Sequence, residues 1–422
     1  MPVFDATATS EQVVEAFAPQ VKGRTFVITG AGQPSIGSSM AIALARASPG
    51  HILIASRTAA KVEPVLTAIG KINPSIKATF VQVDLSDHDS VRGAAQKVLE
   101  ITASKIDVLI NSAGNMALKE YTVDKQGIEM QLSANYVGHF LLTNLLMPAL
   151  LAAANTEHGA RVVNLCSLGY LISPFRFDDY NFSGGTTYDL WTAYGQAKTA
   201  NILFTFGLAK RLRGVIAFAA HPGSNLDTQL GSHLAMEDYN SIYETTKRNT
   251  GKDFVFEEPR FKTYAQIGAT PLTAALDPDI APKSPALLIN SQVAETAEYA
   301  SSPEMVEKFW KLSEKLTPKF LLKKRTPTVV GYYGYLKTST IVKLAKILVQ
   351  ARKDYISTTS DTASKPESQL GTEIQRFIDE VEGQPVVDPA GHQHHKEADA
   401  GARESTKTEE SDVEIKVEGP DD

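Results

Sequence analysis

Residues 24–48 read RTFVITGAGQPSIGSSMAIALARAS: a short apolar run, a glycine-bearing loop, then a helical pattern of small and apolar residues. The opening run has no polar alternation, which is the pattern of a strand buried on both faces. Glycine between a strand and a helix lets the backbone turn tightly and approach a pyrophosphate at the helix N-terminus. Here the turn is altered. Four residues rather than three follow Gly30 before Ser35-Ile36-Gly37, and Ser35 stands where a middle glycine is usual.

Strand-like runs recur downstream as HILIASR, ATFVQVD, IDVLINSAG, ARVVNLCS and VIAFAAHPG, with PALLINSQ near residue 285 as a seventh. Longer helical patterns separate them, among them GIEMQLSANYVGHFLLTNLLMPALLAA. This alternation predicts an α/β fold with a doubly wound parallel sheet of about seven strands, flanked by helices on right-handed crossovers. After the sixth strand, residues 230–270 are polar and poorly periodic, with EDYNSIYETTKRN expected to be helical. An insertion there lies near the carboxyl ends of the strands, where such folds bind ligands.

The 422 residues are 43% apolar, enough for a sizeable core, and the net charge of −6 gives no reason to expect nucleic acid as a partner. A single cysteine, Cys166, excludes an internal disulfide and fits a reducing compartment. The N-terminus has no secretory pattern, and no run of about 20 apolar residues predicts a membrane span. The expectation is a cytoplasmic protein. Residues 318–353 hold nine Lys or Arg and no acid, interleaved with YYGY and IVKLAKILV. Such a segment either packs back onto the domain or a second subunit, forming a homo-oligomer, or rests peripherally on an anionic membrane. From Asp388 onward eleven acids oppose four bases, so the tail is expected to be disordered. Its HQHHK tract, His392 to Lys396, reads as solvated rather than as a metal site. The predicted organisation is a main domain over 1–317, a basic extension over 318–357 and a tail over 358–422.

Two further features bear on chemistry. The second strand ends in Ser56-Arg57 with no acid, so a ribose 2′-phosphate would meet a guanidinium, which points to NADP(H) rather than NAD. In TAYGQAKTANILFTF, Tyr194 and Lys198 lie four residues apart and share one helix face. A nearby ammonium favours phenolate and would lower the phenol's pKa, letting Tyr194 exchange a proton with a carbonyl or alcohol oxygen. The accompanying hydride must come from a cofactor, since no side chain carries one.

With NSAG (111–114), NYVGHFLLT (135–143), RVVNLCS (161–167), YGQAK (194–198) and HPG (221–223) in this order, the chain resembles the short-chain dehydrogenase/reductase family. The wording is most similar to its retinol-dehydrogenase-like and WW-domain-oxidoreductase-like branch, of fungal type, over roughly residues 12–317. The resemblance implies a Rossmann-type fold and a tetrad. In it Tyr194 is the acid/base, Lys198 orients the nicotinamide ribose, Ser167 donates to the substrate oxygen, and Asn135 holds a relay water. It also implies cofactor contacts at Gly30, Ser35, Ile36, Gly37, Arg57, Asp84, Asn111, Ala113, Gly114, Tyr194, Lys198, Pro222, Gly223 and Thr228. Cys166 reads as a packing residue and His221 as support for its loop. No metal is expected.

The expected activity is NADP(H)-dependent interconversion of a ketone or aldehyde with an alcohol on a lipophilic or polycyclic small molecule. Secondary metabolism and retinoid- or steroid-like turnover both fit. Two alternatives stay open: a non-catalytic NADP(H)-binding scaffold, and a carbon–carbon double-bond reductase.

Overall fold

The computed structural model describes residues 3–156, 158–212 and 214–318. Beyond Pro318, the basic extension, the acidic tail and the His392–Lys396 tract lie outside the described residues. Each of the seven apolar runs forms a strand: β1 (Thr25–Thr29), β2 (His51–Ser56), β3 (Lys77–Gln82), β4 (Val108–Asn111), β5 (Ala160–Leu165), β6 (Val215–His221) and β7 (Ala286–Ile289). These are mutually parallel in the order β3-β2-β1-β4-β5-β6-β7. An eighth strand, β8 (Gln292–Ala294), adds an antiparallel edge to β7. Asn290 and Ser291, at φ of 51° and 62°, make the two-residue hairpin between them. Such a turn can join only antiparallel neighbours, so the edge strand needs no crossover.

β4 and β5 are buried along their whole length, which is why they read as continuous apolar runs rather than as alternating ones. Strand order reverses between β1 and β4, and the loops leaving these two strands flank the resulting crevice. The helix Leu190–Arg211 starts at an Asp189 cap, whose carboxylate accepts from Thr192 N–H at 2.7 Å, and is buried almost continuously from Trp191 to Thr205. The insertion after β6 contains the helix Met236–Thr250, as its sequence predicts.

The helix Pro303–Leu316 closes the back of the domain with aromatic contacts. Phe309 lies 4.7 Å from Tyr136 and Trp310 5.1 Å from Phe140, ring centre to ring centre, while Tyr136 and Phe204 are 5.7 Å apart. The Tyr136 and Ser313 hydroxyls are hydrogen-bonded at 2.5 Å. Among the described residues no single helix is long and apolar enough to cross a membrane.

Candidate active site

The glycine loop is built to bring backbone together. Gly30 follows β1 at φ +69°, and a Cβ there would come within 2.5 Å of Ala113 Cα. Only glycine allows both the left-handed turn and this approach of the β1 and β4 loops. Ser35 is not a degraded glycine. Its backbone is extended, its Oγ accepts from Ser38 N–H at 3.0 Å, and it caps the helix Ile36–Leu44. The same hydroxyl reaches Gly30 O at 3.0 Å, tying the loop's two ends. The extra residue is absorbed where Gln33 N–H donates to Lys61 O at 2.8 Å. In the first helical turn the Ile36 and Gly37 N–H groups have no intrahelical acceptor and are free to receive an anion.

Arg57 is exposed just past β2, and no other described residue pairs with its guanidinium. Asp84 lies beyond β3 with its carboxylate accepting from Ser86 N–H (2.9 Å) and Ser86 Oγ (2.6 Å). Ala113 and Gly114 reach the crevice, but the Asn111 side chain is turned away from it. Its amide donates to Thr143 Oγ1 (2.9 Å) and Asn164 Oδ1 (2.8 Å) within the buried interior. Pro222, Gly223 and Thr228 follow β6, and Thr228 N–H donates to Asn225 Oδ1 at 3.0 Å. The open helix N-terminus, the close-packed Gly30 turn and the exposed Arg57 together fit a nicotinamide dinucleotide.

Asn135, Ser167, Tyr194 and Lys198 come from three separate elements and converge. Lys198 Nζ donates to Asn135 Oδ1 at 3.4 Å and lies 5.4 Å from the centre of the Tyr194 ring. Asn135 occupies a π-helical turn, Ser133–Val137, and its amide donates to Asn115 Oδ1 (2.9 Å) and Gln131 O (2.8 Å). Its backbone carbonyl accepts from His139 Nδ1 at 3.0 Å.

His139 is a residue the sequence reading passed over, although it sits four positions beyond Asn135 on the same helical run. Thr29 Oγ1 accepts from Ser112 N–H (2.9 Å) and Ala113 N–H (3.1 Å), so its own proton goes to His139 Nε2 at 2.8 Å. The ring proton is therefore on Nδ1, and burial keeps the imidazole neutral, with its pKa lowered to about 4. Through this chain the β4 loop and the π-turn are fixed to the end of β1.

Ser167 caps the 3-10 turn Leu168–Ile172. That turn carries the Tyr194 ring: a Cβ on Gly169 would come within 2.6 Å of Tyr194 Cε1. The electrostatics correct one expectation. Burial raises the Tyr194 pKa, with the Ser167 hydroxyl acting the other way, and Lys198 does not hold the phenol low. The ammonium lies over the ring, and desolvation is the largest influence on the phenol. Lys198 itself is lowered to about 8 by burial, with Cys166 opposing, so it stays protonated at neutral pH. Burial pushes the Cys166 thiol up to about 12, consistent with a packing role.

A family model described as short chain dehydrogenase matches residues 24–237. The chain belongs to the short-chain dehydrogenase/reductase family. Within that family it is of retinol-dehydrogenase-like, fungal type. It is 34% identical over 245 residues to the oxidoreductase fscI of Fusarium equiseti, spanning 52% of this chain and 95% of that protein. To the short-chain dehydrogenase/reductase prx1 of Penicillium roqueforti it is 34% identical over 310 residues, covering 70% and 85% of the two chains. Mouse retinol dehydrogenase 12 is 34% identical over 301 residues, covering 70% and 87%. Among solved structures, an uncharacterised protein from Mycobacterium paratuberculosis superimposes with a TM-score of 0.53 at 30% identity, covering 71% of this chain and 97% of that one. Family members use NAD(P)(H), in keeping with the crevice at β1 and β4.

Proposed function

We propose that this chain interconverts a ketone or aldehyde with an alcohol on a lipophilic small molecule, using NADP(H). The observation that carries this reading is the apolar enclosure of Tyr194. Its ring lies among Ala117, Ile172 and Trp191, with Ile242 and Phe254 contributed by the insertion. A polar substrate would lose its hydration there without replacement hydrogen bonds, whereas a lipophilic one gains by burial. Preference for the phosphorylated cofactor rests on exposed Arg57 and on the lack of an acid at the end of β2.

When bound, the nicotinamide supplies or accepts the hydride. The chain supplies the proton and the geometry. Burial keeps Tyr194 protonated, which is the form that can donate to a carbonyl oxygen as negative charge grows there. Ser167, beside it, adds a second donor to that oxygen. Lys198 places a positive charge behind the phenol, stabilising the phenolate left after proton transfer. Asn135 holds that ammonium in place.

A fluorescence titration with NADPH and NADH, followed by a panel of apolar ketones, aldehydes and enones, tests the proposal. The expected outcome is NADPH-selective binding and carbonyl turnover that disappears in Tyr194→Phe while cofactor binding persists. Saturated products that retain their carbonyl would replace this reading with double-bond reduction. Full activity in Tyr194→Phe would overturn the mechanism.

A further inference from the structure

We infer that His221 and Glu257 form a positioning pair that locks the Ser167 turn to the segment covering the substrate. Only the kinetic consequence of this pair rests on the carbonyl–alcohol reading; its geometry does not. The turn Leu168–Ile172 opens with N–H groups that have no partner inside the turn. Gly169 N–H is taken by Ser167 Oγ at 3.0 Å, and Leu168 N–H by His221 Nδ1 at 3.3 Å.

A backbone N–H can only donate, so Nδ1 must present its lone pair and the ring proton must be on Nε2. That proton meets Glu257 Oε1 at 2.6 Å, with the two side chains only 4% and 8% exposed. Burial alone would raise the Glu257 pKa. The hydrogen bond from His221 and the nearby Lys262 ammonium act the other way, and the carboxyl lies below its ordinary value. Glu257 Oε2 is buried without a partner among the described residues, so the carboxylate's main anchor is the imidazole.

The pair joins three parts of the site that are far apart in sequence. Phe254 and Phe256, just before Glu257, pack into the apolar cluster around Tyr194. His221 ends β6, next to Pro222 and Gly223 in the proposed cofactor crevice. Leu168 adjoins Ser167, and Gly169 in the same turn supports the Tyr194 ring. A displacement of this turn would therefore move the Ser167 hydroxyl and the phenol together. Neither His221 nor Glu257 need touch the substrate to matter. They are positioning residues.

The test uses the full chain with three variants, Glu257→Gln, Glu257→Leu and His221→Gln. Long-range 1H–15N spectra of 15N-histidine protein, with His221→Gln as the assignment control, should show His221 as the Nε2–H tautomer. Glutamine keeps an acceptor for that proton, so Glu257→Gln should retain kcat within about threefold. Glu257→Leu should lose about tenfold to hundredfold in kcat, as misplacing reacting groups does, with NADPH affinity unchanged and faster exchange at the Leu168 amide. An Nδ1–H tautomer would overturn the inference even if the leucine variant failed to fold. So would a folded Glu257→Leu with kcat within about twofold of the parent. A panel without any turnover would sink the carbonyl reading, and the tautomer would still decide for or against the pair.

Discussion

Lys198 Nζ lies 5.4 Å from the centre of the Tyr194 ring, in a site that burial has made costly for both charges. Burial lowers the Lys198 pKa from its ordinary 10.5 to about 8. Between those values the unfolded chain binds the proton that the folded chain has released, so stability rises as pH climbs from about 8 to about 10.5. Below about 8 both states are protonated and the full penalty is present. Lys198→Met should therefore be more stable than the parent at pH 7, by at most about 3 kcal/mol at 1.36 kcal/mol per unit. The difference should close near pH 10.5, and turnover should be lost. Urea midpoints at the two pH values measure this; an equal offset at both would show that the ammonium carries no burial penalty.

Gly169 is the seat of the Tyr194 ring, with only 2.6 Å between Tyr194 Cε1 and the position a Cβ would take. Gly169→Ala must push the phenol outward or shift the turn that carries Ser167. The expected result is a loss of tenfold or more in kcat, of the size that about an ångström of misplacement causes, with NADPH binding retained. Unchanged kcat would mean that the ring has more room than the geometry gives it.

Arg57 should govern the choice between cofactors. Hydrogen bonds to charged groups contribute about 1.5–3 kcal/mol, so Arg57→Ala should weaken NADPH binding by roughly tenfold to hundredfold and leave NADH binding alone. Equal weakening of both would assign Arg57 to the adenosine or pyrophosphate rather than to the 2′-phosphate.

Ser35 separates two accounts of the altered loop. If its hydroxyl is the helix cap, Ser35→Ala should cost about 1 kcal/mol and Ser35→Gly only a few tenths. Thermal melts of the pair should rank glycine above alanine. The reverse order would mean that the loop does not depend on that cap.

Much of this molecule was legible in its sequence, because the readable parts are local. β1, β4 and β5 are buried on both faces and so appear as uninterrupted apolar runs. Tyr194 and Lys198 announce their shared face through a four-residue spacing. What stayed hidden depends on partners distant in the chain. The Asn111 side chain could not be placed without knowing that Thr143 and Asn164 surround it. His221 and Glu257, 36 positions apart, obey no periodicity. The Tyr194 pKa was misjudged because the spacing reveals the neighbouring cation but not the depth of burial, and here burial decides. β8 was missed because three residues are too few to show an alternation.

The aromatic contacts behind the domain set a lower bound on how far the chain can be shortened. The family match stops at residue 237, yet Phe309 and Trp310 pad the reverse side of the segments bearing Asn135 and Lys198. Truncation ahead of Pro303 would leave Tyr136, Phe140 and Phe204 facing water, and two of the four tetrad residues would lose their backing. A trimmed version meant for crystallisation or assay should therefore run at least through Leu316, well past the end of the family-model match.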